Sequence, residues 1–173
     1  MGYMGSGKSI VSNELSSKLR FKNIDLDNEI SSVIGLSIPE IFQKKGELFF
    51  RKKEKEILER VLDSQKDVVL SLGGGTPCYY NNIDLINERS VSVYLVANVN
   101  TLVKNLLHER EKRPLIAGIK EEELPDFIGQ HLMERNQYYS KAKIAVMVNN
   151  WDLDRIVSDI LTEIEKLGYE MKK

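Results

Sequence analysis

The chain has 173 residues, 42% hydrophobic and 29% charged, with a net charge of −1 and one cysteine. These values exclude fibrous and disordered classes and fit one domain, 1–173, able to bury a sizeable core, while the near-neutral charge argues against a nucleic-acid or anionic-membrane partner. No apolar run approaches the roughly 18 residues that span a bilayer, no secretory pattern opens the chain, and the lone Cys78 forbids an internal disulfide, so a cytoplasmic location is expected.

In chain order, "MGYMGSGKS" comes first, and Gly2, Gly7, Lys8 and Ser9 complete G-x-x-x-x-G-K-[ST], the loop that cradles nucleotide phosphates. Ile10, Val11, Leu15 and Leu19 have the spacing of a helix that starts inside the loop. "FKNIDLD" is too short for a helix and reads as a strand ending near Asp25. A helix from about Asn28 to Ile34 stops at Gly35, and "SIPEIFQKKG" opens another with Ser37 as cap and Pro39 in its first turn. "GELFFRKKEKEILERVLDSQ" reads as a long charged helix burying Phe49, Phe50, Ile57, Val61 and Leu62. "DVVLSL", "VSVYLVA" and "AVMVN" are strands, and the continuous apolar runs among them suggest burial on both faces of a parallel sheet. A helix from about Leu153 to Leu167 closes the chain. Alternating strands and helices imply a doubly wound three-layer α/β/α fold.

"HEREKRPLIAGIKEEELPD", residues 108–126, interrupts this order with ten charged residues, two prolines and one glycine. A long polar loop within a compact domain is more often a lid than a structural necessity.

Several residues carry candidate chemistry. Loop glycines bring successive backbone N–H groups to phosphate oxygens, Lys8 reaches the β- and γ-phosphates, and the Ser9 hydroxyl suits Mg²⁺. Asp25 and Asp27 leave a strand with i, i+2 spacing, so one carboxylate can face a metal-bound water and the other a substrate hydroxyl; the alternative is a capping pair. Arg51, beside Phe49 and Phe50, is either a surface cation or a fork for a carboxylate. Gly73, Gly74 and Gly75 follow a buried strand, where open sheets bind ligands, and suggest either a close backbone approach or a flexible turn. Cys78 reads as a packing residue rather than a nucleophile.

Taken together, the phosphate loop, "DLD", "GELFFR", "LSLGGG", "RPLIAG" and "ERNQYY" resemble shikimate kinase in order and spacing, from Gly2 to about Leu161. The resemblance implies the P-loop kinase fold with a parallel sheet, five-stranded in the family and four-stranded here. The strand that precedes the phosphate loop has no counterpart in the sequence. A gap or strained substitute is therefore expected in the sheet, and a natural start a few residues upstream of Met1. The implied reaction is ATP-dependent phosphorylation of the shikimate 3-hydroxyl, on the route to chorismate and aromatic amino acids, by a monomer using Mg²⁺.

By resemblance, Gly5, Ser6, Gly7, Lys8, Ser9, Ile10 and Arg113 bind ATP, and Lys8, Asp27 and Arg113 are catalytic. Asp27, Arg51, Gly73, Gly74, Gly75 and Arg135 bind shikimate, Ser9 and Asp25 hold the metal, and Glu54 steadies Arg51 one helical turn away. The substrate region covers about 26–60, and the 108–126 stretch is the lid. Three departures stand out: Ile10 follows Ser9 where a second hydroxyl is common, Leu106 occupies the spacing of an adenine-stacking Arg for which Arg110 could substitute, and "NNW" (Asn149 to Trp151) lacks an expected basic residue. A gluconate-kinase-like enzyme and an inactive nucleotide-binding module are the alternatives.

Overall fold

A computed structural model describes residues 1–64, 66–107 and 113–169. Helix α1 (Lys8–Leu19) starts directly on the glycine-rich loop, β1 (Lys22–Asp25) follows, and α2 (Leu26–Ile34) begins at the next residue. Helix α3 (Ile38–Ser64) leads to β2 (Val68–Ser71), a 3-10 turn (Thr76–Cys78) and α4 (Asn82–Arg89). Then come β3 (Val93–Val96), α5 (Val99–Leu107), the short α6 (Pro114–Ala117), a 3-10 turn (Glu121–Glu123), α7 (Leu124–Tyr139), β4 (Ile144–Met147) and α8 (Leu153–Lys166). The fold is α/β with parallel strands, and among the described residues no helix is long and apolar enough to cross a membrane.

Local sequence explains the helix boundaries. Asp25 caps α2 by accepting from the Asn28 N–H at 3.1 Å, and Asp152 caps α8 by accepting from the Arg155 N–H at 3.1 Å. Ahead of α3, Glu40 reaches back to accept from the Ser37 N–H at 3.0 Å and from its hydroxyl at 2.7 Å, so Ser37 stands at the helix start as expected but as a donor to one carboxylate. Gly46 breaks α3 internally with φ 80° and ψ 168°, so the two segments read from the sequence are two helices meeting at a kink. The α1 start differs from these. Its N-cap is Gly7 in the left-handed conformation, no side chain caps it, and its first turn holds no acidic residue. Its initial N–H groups therefore have no side-chain acceptor, as an anion-binding terminus requires.

Four strands are present among the described residues, as expected, but they form two separate pairs. β1 pairs with β2 in parallel from Lys22↔Val68 to Asp25↔Ser71, and β3 pairs with β4 in parallel from Val93↔Ile144 to Val96↔Met147. The apolar core divides the same way. One cluster draws on α1, β3, α5, α7, β4 and α8; the other draws on β1, α2, α3 and α4, and Met1 packs against both. Between the pairs lies a groove of about 680 Å³ bordered by β2, β3 and Met1. Met1 lies along its β3 wall, its nitrogen donating to the Val93 carbonyl at 2.6 Å and its carbonyl accepting from the Leu95 N–H at 3.0 Å. This is the expected gap, and it corrects one reading: Val68, Val69 and Leu70 are only half-buried, because among the described residues β2 pairs with β1 alone.

Other expectations shift. Ile10 is 53% exposed and leaves the apolar face of α1 to Val11 and Leu15. Residues 113–126 are not irregular: they form α6, a 3-10 turn and the start of α7. The "HEREK" part of that stretch, 108–112, lies outside the described residues.

Since nothing lies within 4 Å of a methyl group placed at Gly46, only the backbone opposes a side chain there. Gly46→Ala should cost about 1–3 kcal/mol, because φ 80° with ψ 168° is a combination essentially confined to glycine, lowering Tm by roughly 2–12 °C in a thermal melt.

Candidate active site

The phosphate loop is held from several sides. Tyr3 is buried, its hydroxyl 3.0 Å from His131 Nδ1, and burial pushes its pKa up to about 12. Its carbonyl accepts from Lys8 Nζ at 2.9 Å. On the α5 side, Asn105 donates to the Gly5 carbonyl at 2.8 Å, and the fully buried Leu106 packs so closely on Gly5 that a methyl group there would lie 3.0 Å from it. Leu106 is therefore a packing residue and offers no platform for a base; Arg110 lies outside the described residues. The Trp151 ring rests on Gly7, where an added methyl would fall 2.3 Å from the ring. Ser6 is fully buried with a hydroxyl lacking a hydrogen-bond partner in the structure.

Burial, with the positive charge of Arg113 next in weight, draws the Lys8 pKa down to about 8 against the opposing pull of Asp27 and Asp25. The structure thus brings Lys8, Arg113, Asp25, Asp27 and Arg135 into one electrostatic neighbourhood. Asp27 lies in the first turn of α2 rather than at the end of the strand. Burial raises its pKa to about 6, helped by repulsion from Asp25 and Glu54, while Lys8 and Arg51 oppose the rise. For Asp25 the capping alternative holds, since its Oδ1 accepts from Asn28.

The glycine run unites these groups. A methyl placed at Gly73 would lie 3.0 Å from Asp27 Oδ1, one at Gly74 would lie 3.4 Å from Arg135 Nη1, and one at Gly75 would lie 2.8 Å from Arg51 Nη2. Three charged side chains that stand apart in sequence thus converge on three successive positions without a Cβ.

The match extends along the chain, because the shikimate kinase family profile aligns with residues 4–165. The chain belongs to the shikimate kinase family. A shikimate kinase of Flavobacterium johnsoniae is 46% identical over 162 residues, covering 93% of this chain and 94% of that protein. The crystal structure of a shikimate kinase from Bacteroides thetaiotaomicron superimposes with a TM-score of 0.88 at 31% identity, covering 98% of this chain and 96% of the other. That of an Acinetobacter baumannii shikimate kinase in complex with shikimate gives 0.86 at 29% identity, covering 98% and 92%.

Within this family member, Arg51 is fixed on several sides. Its Nη1 donates to Glu54 Oε2 at 2.8 Å and its Nε to Glu47 Oε1 at 3.3 Å, with the guanidinium carbon 3.9 Å above the Tyr79 ring. Tyr79 in turn donates to Glu47 at 2.7 Å. Glu54 is buried, and its other oxygen accepts from the Thr76 hydroxyl at 2.7 Å. Thr76 is also buried and is tied down by Asn82, which donates to its carbonyl at 2.9 Å. Tyr139, donating to the Gly74 carbonyl at 2.5 Å, anchors the turn from α7.

Thr76, Tyr79, Glu47 and Tyr139 escaped the sequence reading, and Trp151 was noted only as part of "NNW". Two had a local signal: Thr76 stands directly after the glycine run and Glu47 four residues before Arg51. Cys78 is half-buried and its thiol pKa is raised by that burial, which suits packing rather than nucleophilic attack. Among the described residues no three His, Cys, Asp or Glu side chains gather into a metal cage.

Thr76→Val would leave Glu54 Oε1 buried without its donor. The expected cost is about 1–3 kcal/mol in urea unfolding, with Thr76→Ser restoring most of it.

Proposed function

We propose that this kinase performs its reaction with the groups gathered at the glycine run. It transfers the γ-phosphoryl group of ATP to the 3-hydroxyl of shikimate. The observation that carries the residue assignment is the convergence of one half-buried carboxylate and two guanidinium groups on Gly73, Gly74 and Gly75. Shikimate offers matching chemistry, with one carboxylate for paired arginines and hydroxyls for a carboxylate acceptor. A gluconate-like substrate shares the hydroxyls but gives no reason for this enclosed arginine pair.

Asp27 accepts the proton of the attacking hydroxyl. As the new O–P bond forms to the γ-phosphorus, the bond from that phosphorus to the bridging oxygen breaks and ADP leaves with the electron pair. A raised pKa near 6 suits Asp27 to the task, because a base works best with a pKa close to the operating pH. Gly5, Ser6, Gly7, Ser9 and Ile10 border the phosphates with their backbone N–H groups, and Lys8 moves from the Tyr3 carbonyl to the β- and γ-oxygens. Arg51 and Arg135 clamp the substrate carboxylate. Arg113 meets charge developing on the transferring group, with residues 108–126 closing over the nucleotide and 26–60 over the acceptor.

Ser9 and Asp25 are hard oxygen donors, and only one oxygen of Asp25 is committed to its cap. Such a sparse pair suits Mg²⁺, which keeps several of its own waters. When bound, Mg²⁺ neutralises charge on the β- and γ-phosphates. The exposed Trp151 ring on Gly7 takes the place of the missing basic residue in "NNW" as a stacking surface for the base. We read the chain as one kinase domain acting as a cytoplasmic monomer; its lone cysteine supports the compartment.

Coupling ADP release to shikimate addition tests the assignment. Shikimate-dependent turnover is expected, and ADP release indifferent to shikimate would overturn it. Arg113→Ala should lower kcat by roughly 10³ with a smaller effect on the shikimate KM. A raised KM at unchanged kcat would remove Arg113 from the transition state.

The pH profile follows from the two shifted groups. Asp27 must be ionised, so kcat/KM should rise as pH increases through about 6. Lys8 must be charged to meet ATP, so kcat/KM for ATP should fall as pH rises through about 8. Asp27→Asn should cut turnover across the whole range rather than shift the acid limb.

A further inference from the structure

Helix α7 carries His131, Arg135 and Tyr139 at four-residue intervals, a spacing that puts them on one face. Tyr139 donates to the Gly74 carbonyl at 2.5 Å. His131 Nδ1 lies 3.0 Å from the Tyr3 hydroxyl, and the two rings meet edge to face at 89° with centroids 5.6 Å apart. Phe127, one turn earlier on the helix, packs its ring 5.5 Å from the imidazole. Arg135 thus stands between two anchors on its own helix, one to the glycine turn and one to the phosphate loop.

Tyr3 is built to serve as the second anchor. It is almost wholly buried, so its hydroxyl needs a partner, and its ring lies 5.6 Å from the Arg135 guanidinium carbon, within reach of a cation–π attraction. Its carbonyl accepts from Lys8 and from the Ser6 N–H at 3.2 Å. The backbone on either side of Tyr3 arrives where Arg135 does: a methyl at Gly74 would lie 3.5 Å from the Gly2 carbonyl oxygen, 3.6 Å from the Met4 nitrogen and 3.4 Å from Arg135 Nη1. Burial, with Arg135 next in weight and Glu134 opposing, draws the His131 pKa below its ordinary value. A neutral imidazole therefore meets Tyr3 near pH 7 and adds no second cation beside Arg135.

We infer that His131 is a positioning residue for the acceptor substrate: through the Tyr3 hydroxyl it fixes the ring beside Arg135, and so sets the Arg135 guanidinium at Gly74 for the substrate carboxylate. The inference rests on the proposed binding of that carboxylate by Arg135. It gives neither His131 nor the Tyr3 side chain a contact with substrate; both act through the arginine.

Steady-state kinetics on the full chain, with shikimate and ATP varied separately, provide the test. His131→Leu and Tyr3→Phe each remove one end of the bond and should raise the shikimate KM about fivefold, with the ATP KM held within about twofold. Because both act through one bond, the double variant should be no worse than the more affected single one. His131→Asn, whose amide offers a donor or an acceptor near the place of Nδ1, should bring the shikimate KM back to within about twofold of the parent. Lost packing alone would lower the folded fraction, and kcat with it, while leaving both KM values in place. Tyr3→Phe keeps the buried ring, so it decides the matter should His131→Leu fail to fold. Arg135→Met separates the inference from the reading beneath it: it should raise the shikimate KM at least about tenfold, and adding Tyr3→Phe should raise it no further. An unchanged shikimate KM in Arg135→Met would overturn the carboxylate reading and this inference with it. If Arg135→Met raises that KM while Tyr3→Phe does not, if the effects of Tyr3→Phe and His131→Leu add, or if His131→Asn is as impaired as His131→Leu, the inference alone fails.

Discussion

The turn at Gly73–Gly75 has to admit a carboxylate and two guanidinium groups against its backbone, and at Gly73 and Gly75 the approach invades space that a Cβ would need. Everything charged in the acceptor site depends on that absence. Asp27 arrives from α2, Arg51 from α3 and Arg135 from α7, three different helices. What they share is one bare stretch of backbone, itself anchored by Tyr139 and Thr76. Dispersed residues become a site because one turn is small enough to let them meet.

That meeting is electrostatically unequal. Glu54 is buried but receives two donors, Arg51 and Thr76, so its charge is compensated at its own position. For Asp27, burial and then the repulsion of Asp25 and Glu54 outweigh the pull of Lys8 and Arg51, so its pKa rises to about 6. Two acids a short distance apart thus take different roles: one bonded by two donors fixes an arginine, and one with a raised pKa is left to take a proton.

Much of this was legible in the sequence, for identifiable reasons. Phosphate loops demand glycine, lysine and a hydroxyl in fixed spacing, so Gly2 to Ser9 could be read directly. The kink at Gly46, the cap at Asp25 and the helix start at Ser37 could be read because they are local. The Thr76–Glu54 bond spans 22 residues and the Tyr139–Gly74 bond 65, and no local pattern encodes such partners. Polarity misled at 113–126, where clustered charge concealed helices in which Ile116 and Leu124 are fully buried while Leu115 stays exposed. Leu106, which stands at the spacing of an adenine-stacking Arg, is fully buried; spacing along the chain says nothing of which way a helix faces.

The contact of α5 with the phosphate loop has a reach beyond packing. Asn105 and Leu106 grip Gly5 at the very end of the helix, and residues 108–126 continue from that point. The segment proposed to close over the nucleotide is thus rooted on the loop that holds its phosphates. By thermodynamic linkage, any preference of the filled loop for one α5 position is returned as a preference of that α5 position for the filled loop. If residues 108–126 close as proposed, nucleotide occupancy and closure become two readings of one equilibrium, joined through Gly5.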